Sequence, residues 1–99
     1  MDFGQALVAL KNGEKVARKG WNGKGMFIYL VNEQKIPNDM LRNEADKHIN
    51  GQYKTESSRR GRRTTINGHI DMKAADGSIV VGWLASQTDL LAEDWEIVA

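Results

Sequence analysis

The 99-residue chain has no cysteine, one proline, and no apolar run near the roughly 20 residues that a membrane-spanning helix needs. Each absence removes a class of protein. Without thiols there is neither a disulfide nor a thiolate metal site. Without a bilayer-length segment or a basic-then-apolar amino terminus, no membrane span and no signal peptide are expected. A protein made and used in a reducing, cytosolic compartment fits both absences. Phosphate-binding and nucleophile-elbow motifs are missing too: Gly20, Gly23 and Gly25 do not form a dinucleotide fingerprint, and Ser86 lacks the Gly-x-Ser-x-Gly frame. His48 and His69 stand alone, with no second ligand at metal-binding spacing. No catalytic set, metal or cofactor is implied, and a binder without turnover is the simpler inference.

What is present is ordinary for a folded domain. A hydrophobic share of 40% and a charged share of 27% place the chain among globular rather than disordered proteins. Its length suits one domain, residues 1–99, with a single modest core. The net charge of +1 conceals an asymmetry, because "YKTESSRRGRRT", from Tyr53 to Thr64, holds five basic residues and one acidic one. The rest of the chain is therefore mildly acidic.

Periodicity supplies the fold class. Phe3, Ala6, Leu7 and Leu10 fall on one helical stripe, with Asp2 as N-cap and Asn12-Gly13 as the stop. Lys15 to Arg18 reads as a short strand, and Asn22-Gly23 predicts a tight hairpin turn after it. "MFIYLV", Met26 to Val31, is apolar at every position. As a strand it points Met26, Ile28 and Leu30 one way and Phe27, Tyr29 and Val31 the other. Both faces then need cover, which favours an oligomer.

Pro37-Asn38-Asp39 predicts a helix through about Asp46, followed by a mobile, polar and basic loop over about 47–65. Ile66 to Lys73 alternates as a half-buried strand, Asp76-Gly77 turns the chain, and Ile79 to Leu84 returns. A short helix from Ser86 through about Glu93 and a closing strand from Trp95 to Val98 complete an α+β fold. Its antiparallel sheet has about five strands, with two or three short helices.

Several residues carry chemistry. Ser86-Gln87-Thr88-Asp89 before an apolar Leu90-Leu91 pair is a capping-box pattern, and the same helix start can offer N–H groups to a ligand oxygen. Asp89 there would repel phosphate but suits ribose hydroxyls or a base N–H. Trp21, on a glycine-flanked turn, either offers its face to a flat ring or folds over the sheet edge. Trp83 and Trp95 lie in apolar segments and read as core. Arg18, Lys19 and Lys24 flank the turn and are able to neutralise a phosphate, although a solvated surface charge is the default for each. Asp89, Glu93 and Asp94 read as a solvated acidic surface. The arginines from Arg59 to Arg63, without interleaved aromatics, are a weak sign of nucleic-acid binding. A small nucleic-acid-binding module using that loop is the alternative function; the acidic remainder of the chain counts against it.

Two long stretches, "FGQALVALKNGEKVARKGWNGKGMFIYLV" and "ADGSIVVGWLASQTDLLAEDWEIV", resemble the phage-encoded Thoeris anti-defence family, second type. They cover more than half of the chain, from Phe3 to Val31 and from Ala75 to Val98. Val81 stands where many relatives have proline. The resemblance implies a homotetramer in the cytoplasm of an infected bacterium that binds cyclic ADP-ribose isomers without cleaving them. Sequestering these immune signals keeps a Thoeris effector inactive, and some relatives also take cyclic dinucleotides of the CBASS defence. On this reading the ligand-binding residues are Arg18, Trp21, Asn22, Lys24, Trp83, Ser86, Gln87, Thr88 and Asp89. Trp21 would stack on adenine, Ser86 to Asp89 would meet sugar and base, and Asn22, Arg18 or Lys24 would meet phosphate.

Overall fold

A computed structural model describes all 99 residues. In chain order the elements are α1 (Phe3–Lys11), β1 (Lys15–Arg18), β2 (Phe27–Val31), β3 (Gln34–Pro37), α2 (Asn43–Ile49), α3 (Glu56–Arg59), β4 (Arg63–Ile66), β5 (His69–Lys73), β6 (Ile79–Val80), α4 (Gln87–Leu91) and β7 (Trp95–Val98). The chain divides into two compact units, Met1–Asn32 with Gly68–Ala99, and Glu33–Asn67. The class is α+β, as expected.

The first unit is built on a five-stranded antiparallel sheet in the order β6-β5-β2-β1-β7. Helix α1 starts where Asp2 accepts a hydrogen bond from the Gln5 amide at 2.8 Å while Gln5 accepts one from the Asp2 amide at 2.9 Å. This reciprocal cap satisfies two of the free donors of the first turn. The helix lays Ala6, Ala9 and Leu10 on the sheet, with Phe3 and Leu7 packed at the margin of the core. From the sheet come Val16 of β1, Ile28 of β2, Met72 of β5 and Trp95 of β7. Val16 pairs with Ile28 and with Ile97, so the alternation of each strand brings these residues to one face. Phe27, Tyr29 and Val31 take the opposite face.

The strand expected over Ile66 to Lys73 begins only at His69, because Ile66 ends β4 opposite Gln34, and three other boundaries differ from the sequence reading, each for a physical reason. The first concerns the connection between β1 and β2, which runs from residue 19 to residue 26 and is not a two-residue turn. A tight Asn-Gly hairpin needs a positive φ at both central residues, yet neither Asn22 nor Gly23 has one. The longer loop brings Trp21 against the core. Gly23 earns its place by close approach, since a Cβ there would lie 2.5 Å from Met26 Sδ and 2.8 Å from Ala75 Cβ.

The second is β6, which stops at Val80 rather than continuing to Leu84. Gly82 turns the chain with φ of 76°. Its amide donates to Asp71 at 2.9 Å, and the Trp83 amide donates to the Ile70 carbonyl at 2.7 Å. The third is α4, which ends at Leu91 rather than Glu93, with Ala92 already extended.

The second unit pairs β3 with β4 in a two-stranded antiparallel ribbon, from Gln34 opposite Ile66 to Pro37 opposite Arg63. The expected helix from Asn38 is a 3-10 turn at Asn38–Met40 followed by α2, and the expected loop contains a 3-10 turn at Asn50–Gln52, then α3 and β4. Polar side chains bind this unit together. Buried Asn50 donates to the Asn38 carbonyl at 2.9 Å and to Asp46 at 2.7 Å, while Thr64 donates to the Asn38 side chain at 2.7 Å. Helix α3 is capped by Thr55, which accepts from the Ser58 amide at 3.2 Å.

Ile28 is fully buried at the crossing of α1 and the central strands. Ile28→Ala should therefore lower the unfolding free energy by about 2–5 kcal/mol, the usual cost of such a cavity. Urea denaturation measures it, and a loss below about 1 kcal/mol would place the centre of the core elsewhere.

Candidate functional site

The two sequence stretches that carry the polar candidates meet at one end of the first unit. Arg18 is the last residue of β1, opposite Trp95 of β7, so its side chain reaches the segment that leads into β7. Its Nε donates to Asp94 Oδ1 at 2.8 Å and its Nη1 to Asp89 Oδ1 at 2.9 Å. The second oxygen of Asp94 accepts from the Gly20 amide at 2.8 Å. Asp89 Oδ1 also accepts from Trp21 Nε1 at 3.2 Å. Its other oxygen closes the predicted capping box, accepting from the Ser86 amide at 3.2 Å while Ser86 Oγ accepts from the Asp89 amide at 3.0 Å. Beneath this network the Trp95 indole donates to the Asp89 carbonyl at 2.9 Å.

The aromatic floor is three tryptophans in mutual edge-to-face contact. Trp21 lies 5.3 Å from Trp95 and 6.3 Å from Trp83, centroid to centroid, and Trp83 lies 6.2 Å from Trp95. Such geometry sets the positive ring edge against a neighbouring π face. Trp95 is fully buried, whereas Trp21 and Trp83 are half-buried at the edge of the core.

The electrostatics follow from the bonding. Asp94 is held below the usual carboxylate value of 3.8, chiefly by the Arg18 guanidinium, with the Gly20 amide adding to it. Partial burial pushes Asp89 upward, but hydrogen bonds from Arg18, Trp21 and Ser86 together outweigh it and leave the group below 3.8. Hydrogen bonds to Asp94 and then Asp89 raise the Arg18 guanidinium further above its ordinary value. With two carboxylates around one guanidinium, the cluster carries net negative charge at neutral pH.

The structure thus brings together Arg18, Trp21, Trp83, Ser86 and Asp89 of the expected ligand set. Asn22, Lys24, Gln87 and Thr88 are exposed on the two segments that flank the network. Arg18 is not the free phosphate partner that its sequence position suggested, because both carboxylates claim it. Asp94, read from sequence as a solvated acid, is half-buried and fixes both Arg18 and the loop after it. Its only sequence signal is its place immediately before Trp95, opposite the end of β1. No group of three or more histidines, cysteines or carboxylates is placed to hold a metal ion, and no helix is long and apolar enough to cross a membrane. A separate open concavity of about 560 Å³ lies on the opposite face of the sheet, between Gly13, Glu14, Lys15, Phe27, Tyr29, Val98 and Ala99. None of the expected ligand-binding residues lines it.

The depressed carboxylates fix a pH dependence. Asp94 binds fewer protons in the folded than in the unfolded chain, so its contribution is full above about pH 3.8 and is lost as pH falls through the depressed folded value. Asp94→Asn should be less stable than the parent at pH 7, with the gap closing below about pH 3.8. Melting temperatures from pH 7 to pH 2.5 measure this, and a gap independent of pH would refute the ionic role of Asp94.

A family model described as the Thoeris anti-defense 2-like domain matches residues 1–98. A curated protein of Bacillus phage SP01, "Thoeris anti-defense 2", is 39% identical over 99 residues, a match spanning 100% of this chain and 96% of that protein. With a near-complete domain match and a relative aligned along its whole length, the chain belongs to the Thoeris anti-defense 2-like family.

Proposed function

We propose that this anti-defence protein binds a cyclic ADP-ribose-derived signal, glycocyclic ADP-ribose, and holds it uncleaved in the cytoplasm of the infected host, so that the Thoeris effector is not activated. One observation carries the reading. Residues 18–24 and 83–89, far apart in sequence, are fastened to each other through Arg18, Trp21 and Asp89. Their exposed polar side chains thereby stand on a rigid, aromatic-floored corner. A half-buried tryptophan gives a face for adenine. Gln87 and Thr88 supply an amide and a hydroxyl for the riboses, and Lys24 a cation for the pyrophosphate. Cyclic dinucleotides share the same base, sugar and phosphate chemistry and are the second ligand class to test.

Sequestration requires tight binding, and a nanomolar Kd corresponds to about −12 kcal/mol. A few polar contacts and one stack reach that only when the site is preformed. The bonded network under the site supplies such rigidity, and assembly from several copies would extend it. Exposed apolar side chains offer a surface for self-association, taken here as a homotetramer: Val81 is 71%, Leu84 90% and Leu91 81% exposed in the single chain.

Calorimetry with 1″–3′ glycocyclic ADP-ribose, followed by heat denaturation and mass analysis of the released ligand, tests the function. Tight binding with the ligand recovered intact is expected. A released ligand of altered mass would make the protein an enzyme, and no heat with either this ligand or cyclic dinucleotides would end the proposal. Lys24→Ala is the clean site variant, because an exposed substitution usually changes stability by less than about 0.5 kcal/mol. It should weaken binding by about 1.5–3 kcal/mol, the worth of a hydrogen bond to a charged group. Unchanged affinity would remove Lys24 from the phosphate contact.

The assembly is tested separately. Leu84→Asp should convert the tetramer into smaller species in light scattering during size exclusion, with the fold retained by circular dichroism. An unchanged mass would place the interface elsewhere.

A further inference from the structure

Arginine is used in two opposite ways in this chain. Arg18 has its charge met by two carboxylates. Arg59, Arg60, Arg62 and Arg63, in the second unit, take part in no ion pair. They are packed into five residues by two local features: α3, capped by Thr55, and a turn at Gly61 with φ of 78°. The turn closes where the Arg62 amide donates to the Arg59 carbonyl at 3.2 Å. Arg62 is then fixed twice, by donating from Nε to the Ser58 carbonyl at 2.7 Å and by lying 4.2 Å over the Tyr53 ring. Arg63 begins β4 and shares a ribbon face with Lys35, since Lys35 pairs with Thr65 two residues along. The fold therefore joins unpaired guanidinium groups to an aromatic ring that lies several residues away in sequence.

We infer that this basic corner is a second, separate binding surface, for the phosphate backbone of single-stranded nucleic acid. Unpaired arginines match phosphate oxygens in charge and in donor geometry. Tyr53 with Arg62 on its face forms a stacking platform of the kind on which an unpaired base rests. A duplex, whose bases are already stacked, has no use for that platform, so single strands are the favoured partner.

Fluorescence anisotropy with a labelled twelve-residue oligothymidylate, titrated with the wild-type full chain at increasing salt, tests this. With four phosphate contacts, the slope of log K against log salt for a single strand is about −2.8, or roughly fiftyfold weaker binding at 200 mM than at 50 mM salt. Replacing Arg59, Arg60 and Arg63 together by alanine should reduce affinity at least tenfold and bring the slope towards about −0.7, with an unchanged melting temperature. Tyr53→Leu should weaken the single strand several-fold but leave the slope unchanged. The proposal is overturned by no binding up to about 100 µM at 50 mM salt, which is the weak end for non-specific contacts. Equal or tighter binding of a duplex of the same length would overturn it too, as would competition by inorganic polyphosphate as effective as by the oligonucleotide. Glycocyclic ADP-ribose binding, measured in the same triple variant, should not change, which keeps the two surfaces distinguishable.

Discussion

The contact on which the first unit depends is the bridge from Arg18 to Asp89 and Asp94. A guanidinium presents donors in a fixed plane, and here two of them are directed at carboxylates more than seventy residues away in sequence. Each carboxylate uses its second oxygen on a backbone amide, Asp94 on Gly20 and Asp89 on Ser86. A single side chain thus sets the start of the loop after β1, the first turn of α4 and the approach to β7. The early end of α4 follows from the same constraint. Had the helix continued through Glu93, Asp94 would not emerge beside the end of β1, so the chain becomes extended at Ala92.

Bridge and tryptophans depend on each other. Trp21 is held in place by its hydrogen bond to Asp89 and by the edges of Trp83 and Trp95, and in turn it shields the ion pairs from water. Removing water strengthens their attraction, and giving each carboxylate oxygen at least one donor offsets the cost of taking charge out of solvent. The net negative charge of the cluster has a consequence for ligands. An anion is repelled beside Arg18, whose Nε and Nη1 already serve Asp94 and Asp89, whereas hydroxyl and N–H groups meet no such penalty near Asp89.

What could be read from the sequence was what is local. The α1 stripe, its Asp2 cap, the two-faced β2 strand, the Asp76-Gly77 turn and the Ser86–Asp89 box each declare themselves within about ten residues, and each stands where periodicity or cap chemistry put it. The hairpin at Asn22-Gly23 failed because a tertiary demand, the packing of Trp21, overrode a turn preference. The second unit was illegible for a different reason. Its two strands are joined by some twenty-five residues rather than a turn, and its interior is fastened by Asn38, Asn50 and Thr64, residues whose composition looks like loop. In the site, Ser86 and Asp89 were legible as a cap and Trp21 as an unusual aromatic. Asp94 was not, because nothing in a lone acid's neighbourhood names a partner across the sheet.

The state of the carboxylates bears on the chemistry open to this corner. A general acid or base works best with its pKa near the operating pH, and perturbation in that direction needs burial without compensation. Asp89 and Asp94 are shifted the other way, below ordinary carboxylates, by donors on each of their oxygens. At neutral pH they stay ionised and committed to the protein, with no proton to give and little basicity to take one. Their work is positional: they hold the tryptophan and the helix start still, beside the exposed side chains of Asn22, Lys24, Gln87 and Thr88. On the function proposed above, charged groups spent on the site's own rigidity suit the retention of a nucleotide rather than its cleavage.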